Sequence, residues 1–438
     1  MGRLLEVREF DRIICNAEYS GDTKYKYLEE KEFRNLVRFI RSIPGNTTDA
    51  DILDFMRIDY RRNVGDVVSV KNYVGVIQLS DGFQIQVLPK ISIGEEEENY
   101  ARTKKVFLRM LSSLKKFPEK VFQEASLKAD RMNLYELFVN MYLQEVRRLV
   151  KKGIKSDYVE QEDNLSFYKG KLLVNKHLQM NLVHKERFFV AYQEFHPNRA
   201  ENRIIKTTLL KLQKLTNSVD NAKEILKLLT AFEMVDKSVN YTKDFAGIVS
   251  NRNTRDYEML MQWSKVFLLN KNFTTFSGDT AAQSLLFPME LVYESYVAQQ
   301  MKKVMSPAGW QVSSQEKKKY LFDNSKSFAL KPDIVMKRDG RIVILDTKWK
   351  ELDGKENGSN YGISQADMYQ MYAYSKKYGT SEIWLLYPIN DAVRKEGNRE
   401  PVKFVSEDKN SKTEVNVYFV DLDKIEESLE ILKARLEE

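Results

Sequence analysis

The stretch Lys331 to Lys350, K-P-D-I-V-M-K-R-D-G-R-I-V-I-L-D-T-K-W-K, decides how the chain is read. Asp339-Gly340 is a dipeptide favoured in two-residue hairpin loops, which need positive φ, and apolar runs flank it on both sides. Counting outward sets Arg338 against Arg341 and Lys337 against Ile342, and the count ends with Asp333 facing Asp346. Directly opposed side chains have Cβ atoms roughly 5 Å apart, and like charges at that separation are destabilising. A magnesium ion would remove the objection, since it binds carboxylate oxygens at about 2.0–2.1 Å and keeps several waters. Lys348 lies two residues beyond Asp346, so strand alternation puts its ammonium on the same face. The competing reading is an exposed hairpin whose acids pair with Lys331, Lys348 and Lys350. The continuous apolar run Ile342-Val343-Ile344-Leu345 weighs against it, because such a run suits a strand buried on both faces.

Pro332-Asp333 followed by Asp346-Thr347-Lys348 resembles the motif of the PD-(D/E)xK nuclease superfamily. The resemblance implies a Mg²⁺ ion held by Asp333 and Asp346 that polarises a scissile phosphate and acidifies a water. Lys348 would orient that water or offset developing negative charge. Upstream, Pro288-Met-Glu-Leu-Val-Tyr-Glu-Ser-Tyr-Val297 predicts a helix with proline in its first turn and with Glu290 and Glu294 on one face. Superfamily members often carry a glutamate on the helix before the hairpin, and Glu294, flanked by Tyr293 and Tyr296, is the choice for a third metal ligand. Downstream, Gln365 to Tyr374 predicts a helix on which Gln370 and Tyr374 share a face. The pair resembles the Q-x-x-x-Y motif of a subset of these nucleases, which supports the site and contacts DNA; a tyrosine-rich helix otherwise belongs to a core.

The chain has 438 residues, enough for two to four domains. Lys+Arg 70 against Asp+Glu 63 leaves a net charge of +7, which permits nucleic-acid binding without requiring it. A single cysteine, Cys15, excludes an internal disulfide, and no zinc-ligand spacing is present. No apolar span approaches the roughly 20 residues of a membrane helix and the start lacks a secretory pattern, so a soluble cytoplasmic protein is expected. His177, His184 and His196 have no matching acid or cysteine nearby and read as surface or packing residues.

In chain order, residues 1–94 form a β-rich unit, ending in strands around the turn Ser80-Asp81-Gly82 before the acidic run Glu95 to Glu98. Residues 95–271 read as mostly helical, with shorter strand-like runs at Asn164 to Leu178 and Phe188 to Phe195. There Asn202, Arg203 and Lys206 fall within one helical turn, where they would hold a phosphate or form a helix start salt-bridged to Glu201. Residues 272–438 carry the helix, the hairpin, the glutamine helix and the strands Glu382 to Pro388 and Glu414 to Val420, an order that fits an α/β sandwich. Lys317-Lys318-Lys319 would line a DNA groove or mark a lysine-rich edge strand. The expected fold is thus multi-domain α+β, with a β-rich N-terminal domain, a largely helical middle region and a C-terminal PD-(D/E)xK restriction-endonuclease-like domain.

An ordered set of motifs is similar to the McrC family, the nuclease subunits of McrBC-type restriction systems, including the LlaJI-like branch. It comprises Val74-Gly75-Val76-Ile77, Leu88-Pro89-Lys90-Ile91, Tyr192-Gln-Glu-Phe195, Asn202-Arg203-Ile204-Ile205-Lys206, Asp333, and Asp346-x-Lys348. The resemblance implies a DNA endonuclease subunit acting on double-stranded DNA in phage defence. It also implies a McrB-like AAA+ GTPase ring as partner, docked through residues before about Ile93. No G-x-x-x-x-G-K-[ST] phosphate loop is present, so any motor lies on another chain. The alternatives are a non-catalytic adaptor that activates the motor and a nuclease that needs no partner.

Overall fold

The computed structural model describes residues 4–42, 55–79, 81–91, 96–114, 125, 127–248, 254–269, 282–322, 324, 327–352, 360–390, 393, 402–408 and 411–437. The polar, glycine-bearing stretch Asp353 to Asn360 falls almost wholly outside them, as do Glu95 and most of Asn390 to Arg399.

A six-stranded mixed sheet holds the hairpin. Its order is Gln311–Ser314, Ile334–Arg338, Arg341–Thr347, Glu382–Pro388, Ser411–Val420 and Val402–Asp408. The loop is the expected one, with Asp339 at φ 50 and Gly340 at φ 84, and the ladder runs from Arg338–Arg341 to Ile334–Leu345. Arg341–Thr347 then pairs in parallel with Glu382–Pro388, which pairs in parallel with Ser411–Val420. Alternate residues feed different cores. Ile334, Met336, Val343 and Leu345 pack with the helices Met289–Met305 and Ile425–Glu437, while Val335 and Ile344 pack with Met371 and Tyr374 of the helix Gln365–Tyr378. The sheet is therefore covered on both faces, as the unbroken apolar run requires.

The first segment builds two sheets. One has the order Leu4–Arg8, Gln84–Leu88, Tyr73–Leu79 and Ala282–Pro288; the other has the order Lys26–Tyr27, Arg12–Ile14, Gly65–Val70 and Met56–Arg61. Phe33, Leu36 and Phe39 of the helix Glu30–Ser42 close this core together with Ile77, Ile85 and Val87. The last strand of the first sheet comes from beyond residue 272. Ala282–Pro288 pairs with Tyr73–Leu79 and runs directly into the helix Met289–Met305, so the first and last segments share a sheet. Gly75 makes this approach feasible: at φ +145, a Cβ there would lie 1.8 Å from the Leu285 carbonyl oxygen.

Helices dominate the stretch between Leu134 and Leu269. Leu134–Lys152, Ala200–Leu215, Val219–Thr230 and Arg255–Leu269 bury Phe138, Tyr142, Leu209 and Trp263 in the core that also receives Val74, Val76 and the helix Met289–Met305. A small sheet, Asp157–Leu165, Phe188–His196 and Lys171–Leu172, buries Val190 and Ala191 and leaves Tyr158 and Phe195 exposed.

Glu9 marks the seam between the first sheet and the last segment. It is 1% exposed and accepts the Lys90 backbone N–H at 3.0 Å and the Trp349 indole N–H at 3.1 Å. Burial pushes its carboxyl up to about 8, against the pull of those two donors; the Glu351 charge raises it further and the Lys90 ammonium lowers it. Its folded pKa lies above the ordinary 4.5, so the native state holds a proton that the unfolded chain releases. Stability should therefore decline as pH rises between those values and level off above about 8.

Two outcomes are expected. Gly75→Ala should cost roughly 2–4 kcal/mol in chemical denaturation, in the upper range for single substitutions, and a change under about 0.5 kcal/mol would contradict the close approach. Thermal midpoints of the wild type should fall more steeply than those of Glu9→Gln between pH 5 and about 8; parallel curves would show that Glu9 does not hold its proton.

Candidate functional site

One position beyond the Ile334–Leu345 pair, the ladder brings Asp333 and Asp346 to the end of the hairpin, on the face covered by the helix Gln365–Tyr378. Asp333 Oδ2 accepts the Thr347 backbone N–H at 2.7 Å and the Thr347 hydroxyl at 2.6 Å, so its carboxyl is fixed against the neighbouring strand. Asp346 is 2% exposed. Lys348 Nζ stands 2.7 Å from its Oδ2, an ion-pair contact outside hydrogen-bond alignment, and that buried oxygen receives no aligned donor.

The electrostatics follow from burial. Loss of water pushes the Asp346 carboxyl up to about 7, and the Asp333 charge adds to the rise against the pull of Lys348. Burial raises Asp333 too, opposed by its Thr347 hydrogen bonds and by Lys348. Burial works against the Lys348 ammonium, yet Asp346, Asp367 and Asp333 together favour its charged form.

A further ring of contacts fixes the lysine. Its ammonium donates to Gln370 Oε1 at 2.9 Å, and Gln370 Nε2 donates to the Tyr374 hydroxyl at 2.8 Å, so both residues of the glutamine helix reach the site. Asp367, in the first turn of that helix, lies 3.6 Å from Lys348 and 2.9 Å from Lys350. Sequence reasoning missed it. Ser364-x-x-Asp367 reads as a helix start, and Ser364 Oγ indeed accepts the Asp367 N–H at 3.2 Å, so the carboxylate's second task left no local signal.

Glu294 lies beside this group. Its helix covers the opposite face of the sheet, and its Oε1 accepts from Gln315 Nε2 at 2.9 Å, while the Gln315 backbone N–H reaches the Asp333 carbonyl at 3.0 Å. Burial and then the Asp333 charge push the Glu294 carboxyl up to about 7. Glu290 turns away and accepts from Asn72 at 3.1 Å, tying the helix to the first segment. Among the described residues no three His, Cys, Asp or Glu side chains converge at metal-holding spacing. Asp333 and Asp346 are opposed at the strand end, each with its carboxyl raised by burial, and Asp346 Oδ2 meets only the Lys348 ammonium; that donor set fits Mg²⁺, which needs only one or two carboxylates and fills its remaining positions with water.

The other candidate groups have local partners. Arg203 pairs with Asp244 at 2.6 Å, Asn202 donates to the carbonyls of Lys155 and Pro197, and Lys206 reaches the Glu233 carbonyl at 3.4 Å. Glu201 pairs with Arg199 at 2.7 Å. The helix start is thus salt-bridged through a different arginine. His177 contacts Asn181 and Phe188, His184 contacts Glu186, and His196 accepts the Asn198 N–H, each within its own segment. Lys317, Lys318 and Lys319 are exposed, with Lys318 3.5 Å from Glu316. No helix among the described residues is long and apolar enough to cross a membrane.

Fold and site together define a mixed α/β protein with a paired-carboxylate and lysine centre at the end of a buried sheet. The family described as "McrBC 5-methylcytosine restriction system component" matches residues 68–388, and the chain belongs to it. A solved structure, the refined half-complex from the tetradecameric assembly of Thermococcus gammatolerans McrB AAA+ hexamers with bound McrC, shares the fold. The TM-score is 0.68 at 18% identity, covering 98% of this chain and 100% of that chain. The McrBC complex of the same organism matches at TM-score 0.47 and 18% identity, over 69% of this chain and 88% of that chain. No curated protein matches the sequence.

In EDTA at pH 8, Asp346→Asn is expected to melt above the wild type, because it removes a buried charge that its surroundings disfavour. Added Mg²⁺ should raise the wild type alone and close the gap. A wild type whose melting is indifferent to Mg²⁺ would contradict the fit of the ion to these carboxylates.

Proposed function

We propose that the chain is the DNA endonuclease subunit of a McrBC-type, GTP-dependent restriction system, hydrolysing phosphodiester bonds in double-stranded DNA with Mg²⁺. The observation that carries this reading is Asp346: buried, opposed by Asp333, contacted by Lys348, and left with an oxygen that no aligned donor serves. A purely structural site gains nothing from such an arrangement, since replacing buried ion pairs by apolar groups is often neutral or stabilising.

In this reading Asp333 and Asp346 hold the ion, and Glu294 would join them after leaving Gln315. When bound, Mg²⁺ supplies a Lewis acid for the phosphate and lowers the pKa of a water. Lys348 orients the attacking water and stabilises the negative charge that gathers on the phosphate oxygens. Gln370 sets the position of the lysine and Tyr374 sets the amide of Gln370, so the ammonium is aimed before substrate arrives. Asp333 keeps its place through Thr347, whose N–H and hydroxyl both point at one of its oxygens.

A McrB-like AAA+ GTPase ring is the proposed partner, supplying nucleotide hydrolysis that this subunit stimulates. Support comes from the family to which the chain belongs and from the absence of a phosphate loop in the sequence. The rival reading, an adaptor that only activates the ring, lacks an explanation for the ordered lysine and paired acids.

With the partner present, Asp346→Ala should abolish Mg²⁺-dependent DNA cleavage while complex formation and GTP hydrolysis persist. Undiminished cutting by that variant would remove the assignment, and a wild type that activates GTP hydrolysis without ever breaking DNA would favour the adaptor. Incubating the isolated chain with plasmid and Mg²⁺ separates a nuclease that needs its partner from one that does not.

A further inference from the structure

The segment that follows the catalytic strand has two faces with different clients. Lys348 and Lys350 point to the site, where the first meets Asp346 and Gln370 and both meet Asp367. Trp349 and Glu351 point to the first sheet: the indole N–H donates to Glu9 at 3.1 Å, and Glu351 Oε2 pairs with Lys90 Nζ at 2.7 Å. The strand ends at Thr347, and beyond it successive side chains part between the two sides of a boundary between segments. The indole is also packed on Tyr293, with ring centroids 5.3 Å apart, and the Tyr293 hydroxyl and the Lys348 N–H both donate to the Leu386 carbonyl, at 3.3 and 2.9 Å. Tyr293 immediately precedes Glu294. The indole thus touches the frame of both the catalytic lysine and the third candidate ligand, and its polar edge is held by a residue from the other end of the chain.

We infer that Glu9 is a positioning residue for the nuclease centre, holding Trp349 so that the first sheet sets the backbone of Lys348. The inference rests on the nuclease reading for its kinetic consequence but not for the mechanical link, which stands on the Glu9, Trp349 and Tyr293 contacts alone. Glu9 touches neither metal nor DNA in this scheme. It acts through the indole, and the Lys90–Glu351 pair runs beside it as a second tether.

The link is read first in the metal-free full chain by hydrogen exchange. Glu9→Ala should speed amide exchange across residues 347–350 on the order of tenfold or more, while the strand Ser411–Val420 keeps its protection. Trp349→Phe, which keeps the ring on Tyr293 and loses the N–H, should do the same, and the double variant should add little to either single one. Glu9→Gln, which retains an acceptor, should restore slow exchange. Unchanged exchange in a folded Glu9→Ala protein, or additive effects in the double variant, would overturn the inference whatever the chain does to DNA. In cleavage assays with the partner present, Glu9→Ala should lower kcat about tenfold to a hundredfold, the scale expected for a misplaced catalytic group, with KM for DNA unchanged. A wild type that cuts no DNA would refute the nuclease reading and leave the exchange result to decide the link. Loosened exchange with undiminished kcat would show that Glu9 anchors the segment without positioning the lysine, and would overturn the inference in that respect.

Discussion

A carboxylate set between two apolar layers has lost most of its hydration, and nearly every contact around Asp346 is a response to that loss. The sheet is covered on both faces and Asp346 is buried between them, while Asp333, Thr347 and Lys348 at the strand end stay partly open to water. A lysine supplies the opposite charge at 2.7 Å, and a glutamine, a tyrosine and Asp367 then hold the lysine in turn. Thr347 serves Asp333. Beyond that ammonium, no aligned donor meets the inner oxygen of Asp346, and the proposed cation would share it.

The same burial explains how the protein joins its segments. One apolar core runs from Val74 and Val76, through the middle helices, to Met289, Val297 and Leu345, so the hairpin rests on a face shared with the rest of the chain. The strip Lys348 to Glu351 occupies the seam, its odd residues engaged by the first sheet and its even residues by the site. The surroundings of the ammonium thus include contacts made by the other segments of the chain.

Much of the site was legible because strands are periodic. The turn dipeptide fixed the register, the register opposed the two acids, and period two set Lys348 beside Asp346; helical spacing did the same for Gln370 and Tyr374. Contacts without a local period stayed hidden. Asp367 reads as a helix-capping acid, Gln315 as a polar residue of an undistinguished stretch, and Glu9 as one acid among many near the start. Ala282–Pro288 was equally opaque. Its short pattern carries no trace of a partner strand far upstream, so a boundary drawn from composition separated it from the sheet it completes.

That strand has a bearing on modularity. Were residues 1–94 produced alone, Tyr73–Leu79 would present a full row of unpaired amides and carbonyls along an apolar edge, a template for sticking to other molecules. The N-terminal unit is thus a half-finished sheet until the distal polypeptide returns to it, and evolution could not trade it between proteins as a self-contained cassette without carrying the returning strand along.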